Sequence, residues 1–252
     1  MTSTPISCTS DYYSSSDIDY EDNDFDFDVV KAAPSKHCSI DETNFTIRNF
    51  AEHHDDFQSS SKISSTIKVQ QSIRLFELTE KFRLNKEVFI RANAILTKYL
   101  LVTSTDDIDE SILVACLSLS TKLSQHSSPR TFCDNIRISD ENTICNTLDW
   151  DIDATTPINY IETILVHIID PSIRHQLREI ANELIVLCLT NVRCVDLSNI
   201  SLGIGCLLMG SELLQCGELI PKEIFAFDQG KHALFETSLI YIRQVLIQIL
   251  NR

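Results

Sequence analysis

No glycine occurs before Gly203, and the chain holds only five in 252 residues. Tight strand reversals draw on glycine for left-handed backbone, so this scarcity argues against a fold built from hairpins, and no hairpin signal is found elsewhere. From residue 63 onward the prolines fall only at 129, 157, 171 and 221, where they act as punctuation between helices. The same scarcity removes the glycine-rich loops that hold nucleotide phosphates against backbone amides.

Apolar spacing predicts what lies between the prolines. Phe89, Ala92, Leu96, Tyr99 and Leu100 recur at helical intervals over 86–101, as do Ile112, Cys116, Leu119 and Leu123 over 112–123. A broad apolar stretch at 180–190 reads as a helix buried on most sides. Ile242, Val245, Leu246 and Ile249 repeat the i, i+3, i+4, i+7 pattern. Ser201, Gly203, Gly205, Cys206 and Gly210 form a run of small residues inside a helical pattern. Glycine there costs about 1 kcal/mol relative to alanine, so close helix packing is the reason to keep it.

The amino-terminal region is of another kind. Residues 1–30 carry eight acidic residues, beginning at Asp11, and no Lys, Arg or His. Such a segment buries too little to offset the entropy of ordering, and the polar composition persists through HHDDFQSSSKISS. Residues 1–62 are therefore read as a disordered acidic arm, with a transient helix near 43–52 and a folded body from Ile63. Ser14 with Asp17 and Ser16 with Asp19 are acidic serine sites of the kind that phosphorylation uses.

The net charge of −15 argues against a nucleic-acid binder, which needs clustered Lys and Arg, and favours basic partners. The amino terminus lacks the basic and apolar blocks of a signal peptide, and the longest apolar run, LIVLCL at 184–189, is too short to cross a bilayer. Nine cysteines without C-x-x-C spacing, with Cys116, Cys145, Cys188 and Cys206 among apolar neighbours, read as reduced core residues of an intracellular protein, nuclear or cytoplasmic. No H-E-x-x-H pair and no G-x-S-x-G elbow is present, so no cofactor, metal or small-molecule substrate is expected and the chain is read as no enzyme.

Three phrases carry a resemblance. FELTEKFRLNKEVFIRANAILTKYL at 76–100 resembles the start of a cyclin box, whose first helix ends E-K/E-F/Y-x-L and leads into a second. ILVACLSLSTKL at 112–123 resembles the buried third helix, L-x-x-A-C-L-x-L-A-S-K, with its closing lysine at Lys122. ENTICNTLDWDIDATTPINYIETIL at 141–165 is similar to the fifth helix and the junction to a second box, with its glutamate at Glu141. Their order and combination are more specific than any one phrase.

The resemblance to the cyclin family implies an all-α fold of two tandem five-helix boxes after the arm, over residues 63–154 and 155–252. The run Ser201 to Gly210 would be the packed centre of the second. It implies a non-catalytic regulatory subunit that binds and activates a cyclin-dependent protein kinase in cell-cycle control. In the family, the residues matching Lys122 and Glu141 bond to the kinase main chain beside its regulatory C helix, and those matching Leu123, Trp150 and Ile152 supply apolar contact. Read without the family, Lys122 is an exposed helix end, Glu141 stabilises a helix start through the dipole, and Trp150 is core.

The chain also departs from the family. Cyclins read M-R-A-I-L-x-D-W-L in the first helix, where IKVQQSIRL stands here at 67–75. The groove that captures Arg-x-Leu substrates would fall at Ile67, Gln71 and Arg74, so docking there is not expected to persist. The family's buried Arg and Asp pair falls at Lys68 and Thr97, which cannot form an ion pair. The interval from Lys122 to Glu141 is short for a full fourth helix in SSPRTFCDNIRIS, and no R-x-x-L destruction signal follows Arg48. The alternative function is a cyclin-fold scaffold that binds a transcription-related protein without activating a kinase.

Overall fold

The computed structural model describes residues 63–105, 107–124, 132, 137–220 and 239–248, and the acidic arm, the 43–52 segment and most of the short fourth-helix region lie outside these residues. The described residues all belong to one compact unit. Among the described residues there is no strand. The helices are α1 (Ser65–Lys81), α2 (Lys86–Thr103), α3 (Glu110–Leu123), α4 (Ile138–Thr147), α5 (Pro157–Leu165), α6 (Pro171–Leu189) and α7 (Asn199–Leu213). A 3-10 turn at Gly217–Leu219 follows, then α8 over residues 239–248. None is long and apolar enough to cross a membrane.

Local chemistry sets the starts. Ser64 caps α1 by accepting from the Thr66 amide at 3.2 Å, Asn85 caps α2 through the Val88 amide at 2.8 Å, and Asp170 caps α6 through the Ser172 amide at 2.8 Å. Pro157 and Pro171 stand at the first helical position, where a missing N–H costs nothing. The Thr156 amide donates to Asn159 Oδ1 at 2.8 Å, half of a capping box that fixes the entry to α5.

α3 is the most enclosed helix of the first half, with every residue from 113 to 121 buried. Its buried hydroxyls are satisfied: Ser120 donates to the Val88 carbonyl of α2 at 2.8 Å and Thr121 to the Leu117 carbonyl of its own helix at 2.7 Å. α2 packs against α1, α3 and α4 and reaches α5 and α6. Phe89, Leu96, Leu100, Leu113 and Leu117 are almost wholly shielded, and each contributes about 1.5–3 kcal/mol of hydrophobic stabilisation.

α5, α6 and α7 pack on one another, and α7 needs its glycines to do so. A methyl group at Gly203 would run into the Pro157 backbone carbonyl, one at Gly205 would lie 2.5 Å from Ile242 Cδ1, and one at Gly210 would lie 3.2 Å from Ile180 Cγ2. Here the glycines are selected for close approach rather than for backbone freedom, since none has positive φ. Ile242 and Val245 of α8 are buried, and Leu246 packs against the core.

Candidate functional site

The carboxyl end of α3 faces the first turn of α4. Lys122 and Ser118, one turn apart on α3, both reach Glu141 of α4. The Lys122 ammonium lies 2.7 Å from each carboxylate oxygen, and the Ser118 hydroxyl donates to Oε1. Glu141 is 6% exposed, whereas the Lys122 side chain is 60% exposed, so the pair spans from the interior to the surface. Burial raises the Cys145 thiol, and the negative charge of Glu141 raises it further.

Proton counting shows what the pair has left. An ammonium has three N–H groups and a carboxylate about four acceptor sites. With two of the former and three of the latter engaged, one donor and one acceptor are left over among the described residues. A peptide unit offers the matching acceptor and donor.

Apolar side chains stand beside this polar centre. Leu123 follows Lys122 and is 36% exposed; Ile138 lies one turn before Glu141 and is 71% exposed; Trp150, just past the end of α4, is 65% exposed. Ile152 is half-buried against the core.

A strained turn presents the indole. After α4, the Trp150 amide donates to the Cys145 carbonyl at 2.7 Å and the Asp149 amide to the Asn146 carbonyl at 3.4 Å. This is the glycine-type helix stop, yet the two residues at its centre are Asp149 with φ 49° and Trp150 with φ 63°. Left-handed backbone at non-glycine residues costs about 1–3 kcal/mol and persists where its surroundings impose it. The following segment is pinned by Lys98, whose ammonium donates to the Asp151 carbonyl at 3.2 Å and meets its carboxylate at 3.1 Å. Trp150 is therefore an exposed side chain and not a core residue.

The first helix is arranged differently. Ile67 is half-buried against the core, Gln71 is 2% exposed, and the Arg74 guanidinium donates to Gln71 Oε1 and to the Ile108 carbonyl, each at 2.9 Å. These side chains are used within the fold. Beside them Arg74, Glu77, Lys81 and Glu110 join Leu78 and Leu113 around a shallow pocket between α1 and α3. The Lys81–Glu110 pair stands at 3.7 Å on this rim.

Lys68 has a partner that the family pattern does not supply. Its buried ammonium meets the Asp196 carboxylate at 2.7 Å, and Ser65 donates to the same carboxylate. Thr97 instead bonds its own helix at the Asn93 carbonyl, 2.8 Å away. Burial alone would raise the Asp196 carboxyl, but the hydrogen bonds from Lys68 and Ser65 and the nearby ammonium outweigh it and hold the group below its ordinary value. Asp196, Ser118 and Ile138 were not singled out by sequence. Of these only Ser118 left a signal there, its i, i+4 spacing to Lys122.

No protein-family model matches the sequence, and no curated protein matches it. Solved structures do. A viral cyclin from herpesvirus saimiri superposes with a TM-score of 0.59 at 17% identity, over 82% of this chain and 97% of that one. A chain of the CAK complex of Chaetomium thermophilum, solved with ATP-gamma-S bound, gives a TM-score of 0.48 at 11% identity, over 84% of this chain and 75% of that one. The fold assignment rests on the viral cyclin, 97% of which is matched. The observed run of helices α1–α7 thus agrees with the three cyclin-like sequence phrases, and the chain is a protein of cyclin fold.

Proposed function

We propose that this chain is a cyclin, a regulatory subunit without catalysis of its own that binds and activates a cyclin-dependent protein kinase in cell-cycle control. Two tandem boxes, 63–154 and 155–252, would follow the acidic arm. Lys122, Glu141, Leu123, Trp150 and Ile152 would form the contact, joined by exposed Ile138.

The observation that carries this reading is the Lys122–Glu141 pair, buried at one end and exposed at the other, with one donor and one acceptor to spare among the described residues. Charge-assisted bonds to a partner's main chain fix register, and a neighbouring aromatic supplies desolvated area. A viral cyclin as structural neighbour supports the same reading. The groove at Ile67, Gln71 and Arg74 is not assigned substrate docking, because Gln71 is buried and Arg74 is tied to Ile108.

The test is capture of a panel of cyclin-dependent kinases by the full-length protein, with histone phosphorylation as readout. Wild type is expected to bind and stimulate one of them, and Lys122→Ala and Glu141→Ala to bind it measurably more weakly and to stimulate it little while keeping native helical content. A folded protein that binds a kinase without stimulating it, or binds none of the panel, would favour the scaffold function.

A further inference from the structure

We propose that Ser118 is a positioning residue of this site, holding the Glu141 carboxylate in the orientation it offers to a partner. The proposal rests on the reading of Lys122 and Glu141 as partner contacts. Ser118 is 1% exposed, so its effect on a partner would pass through Glu141.

Its neighbours on α3 show what is unusual about it. Ser120 and Thr121, equally buried, donate to main-chain carbonyls, Ser120 to Val88 of α2 and Thr121 to Leu117 of its own helix. Ser118 donates instead to a charged side chain, the Glu141 carboxylate of α4. In the L-x-x-A-C-L-x-L-A-S-K phrase this position is one of those left open, so the resemblance assigns Ser118 no role.

Lys122 cannot orient the carboxylate alone. Its ammonium sits on a flexible four-carbon stem that is largely in solvent, and it acts as a point charge without a fixed fork. The terminal torsion of glutamate is broad and roughly two-fold, so a single mobile cation leaves the carboxylate plane free to turn. A second donor from the buried side removes that freedom. The spare acceptor site of Glu141 is then directed outward before any partner arrives, which lowers the ordering cost of binding.

The experiment is a double-mutant cycle, read as dissociation constants for the cyclin-dependent kinase that the wild-type chain binds most tightly in the panel. Ser118→Ala is expected to weaken binding about fivefold in the wild-type background and to have no further effect in Glu141→Ala. Ser118→Cys, similar in size and a weaker donor, is expected to fall between serine and alanine. A purely structural serine would weaken binding equally in both backgrounds, and that result overturns the proposal. Loss of binding in Glu141→Ala with none in Ser118→Ala overturns the role of Ser118 alone. Undiminished binding by Glu141→Ala overturns the contact itself, and the role of Ser118 with it.

Discussion

The Asp196 carboxylate, in the connection between α6 and α7, lies 2.7 Å from the Lys68 ammonium on α1, joining positions 128 residues apart. Lys68 is buried and the Asp196 side chain is 48% exposed, so the two ends of this bond differ in what they lose when it is broken. Removing the anion leaves a buried cation without its carboxylate, whereas removing the cation leaves an aspartate that water can reach.

Asp196→Asn is therefore expected to destabilise the fold by about 2 kcal/mol and Lys68→Met by less, as read from urea unfolding midpoints. Because the folded-state carboxyl is held below its ordinary value, the stabilisation is present above the unfolded aspartate pKa of about 3.9 and is lost as pH falls through the folded value. The stability gap between wild type and Asp196→Asn should narrow over that acid range and stay constant from pH 6 to 8, a pH window set by the ordinary carboxyl range of about 4.

The glycines of α7 should rank by what their added methyl would meet. Gly203→Ala meets backbone, which cannot yield, and is expected to cost about 2–3 kcal/mol despite the better helix propensity of alanine. Gly205→Ala meets the movable end of Ile242 and should cost less. Gly210→Ala, at 3.2 Å from Ile180, should stay within about 1 kcal/mol of wild type. Thermal melts of the three variants check the order.

Asp149→Gly should stabilise the protein by about 0.5–1 kcal/mol. The left-handed backbone at φ 49° costs an aspartate roughly 1–2 kcal/mol that glycine does not bear, and the greater freedom of glycine in the unfolded chain offsets part of the gain. Chemical denaturation measures it.

Trp150→Ala should separate binding from folding. With the indole 65% exposed, its loss is expected to move the melting temperature little, while kinase affinity falls about 30-fold or more if the ring is an interface anchor. Calorimetric titration and a melting curve on one preparation give both numbers.

The helices were legible in the sequence because their signals are local: apolar spacing from Phe89 to Leu100, proline at 157 and 171, small residues from Ser201 to Gly210. Lys122 and Glu141 were legible through the phrases around them. Their mutual 2.7 Å contact was not, since it depends on how α3 and α4 pack. The partner of Lys68 was hidden for the same reason: Asp196 is one of many acidic residues, and nothing near it in sequence marks it. The exposure of Trp150 follows from the backbone at Asp149 and Trp150, which their residue types disfavour.

The close approach of Gly203 to Pro157 reaches further than the packing of two helices. Pro157 is where the non-helical stretch after Trp150 ends, and Thr155, two residues before it, is held by Asn199 through a 2.8 Å bond to its carbonyl. α7 thus sets the slack in the cord that leads back to the indole. With Lys98 holding its other end at Asp151 and Asp153, this stretch has little room to give, so a residue larger than glycine at 203 would strain the joint between the two halves of the chain and not only the seat of one helix on another.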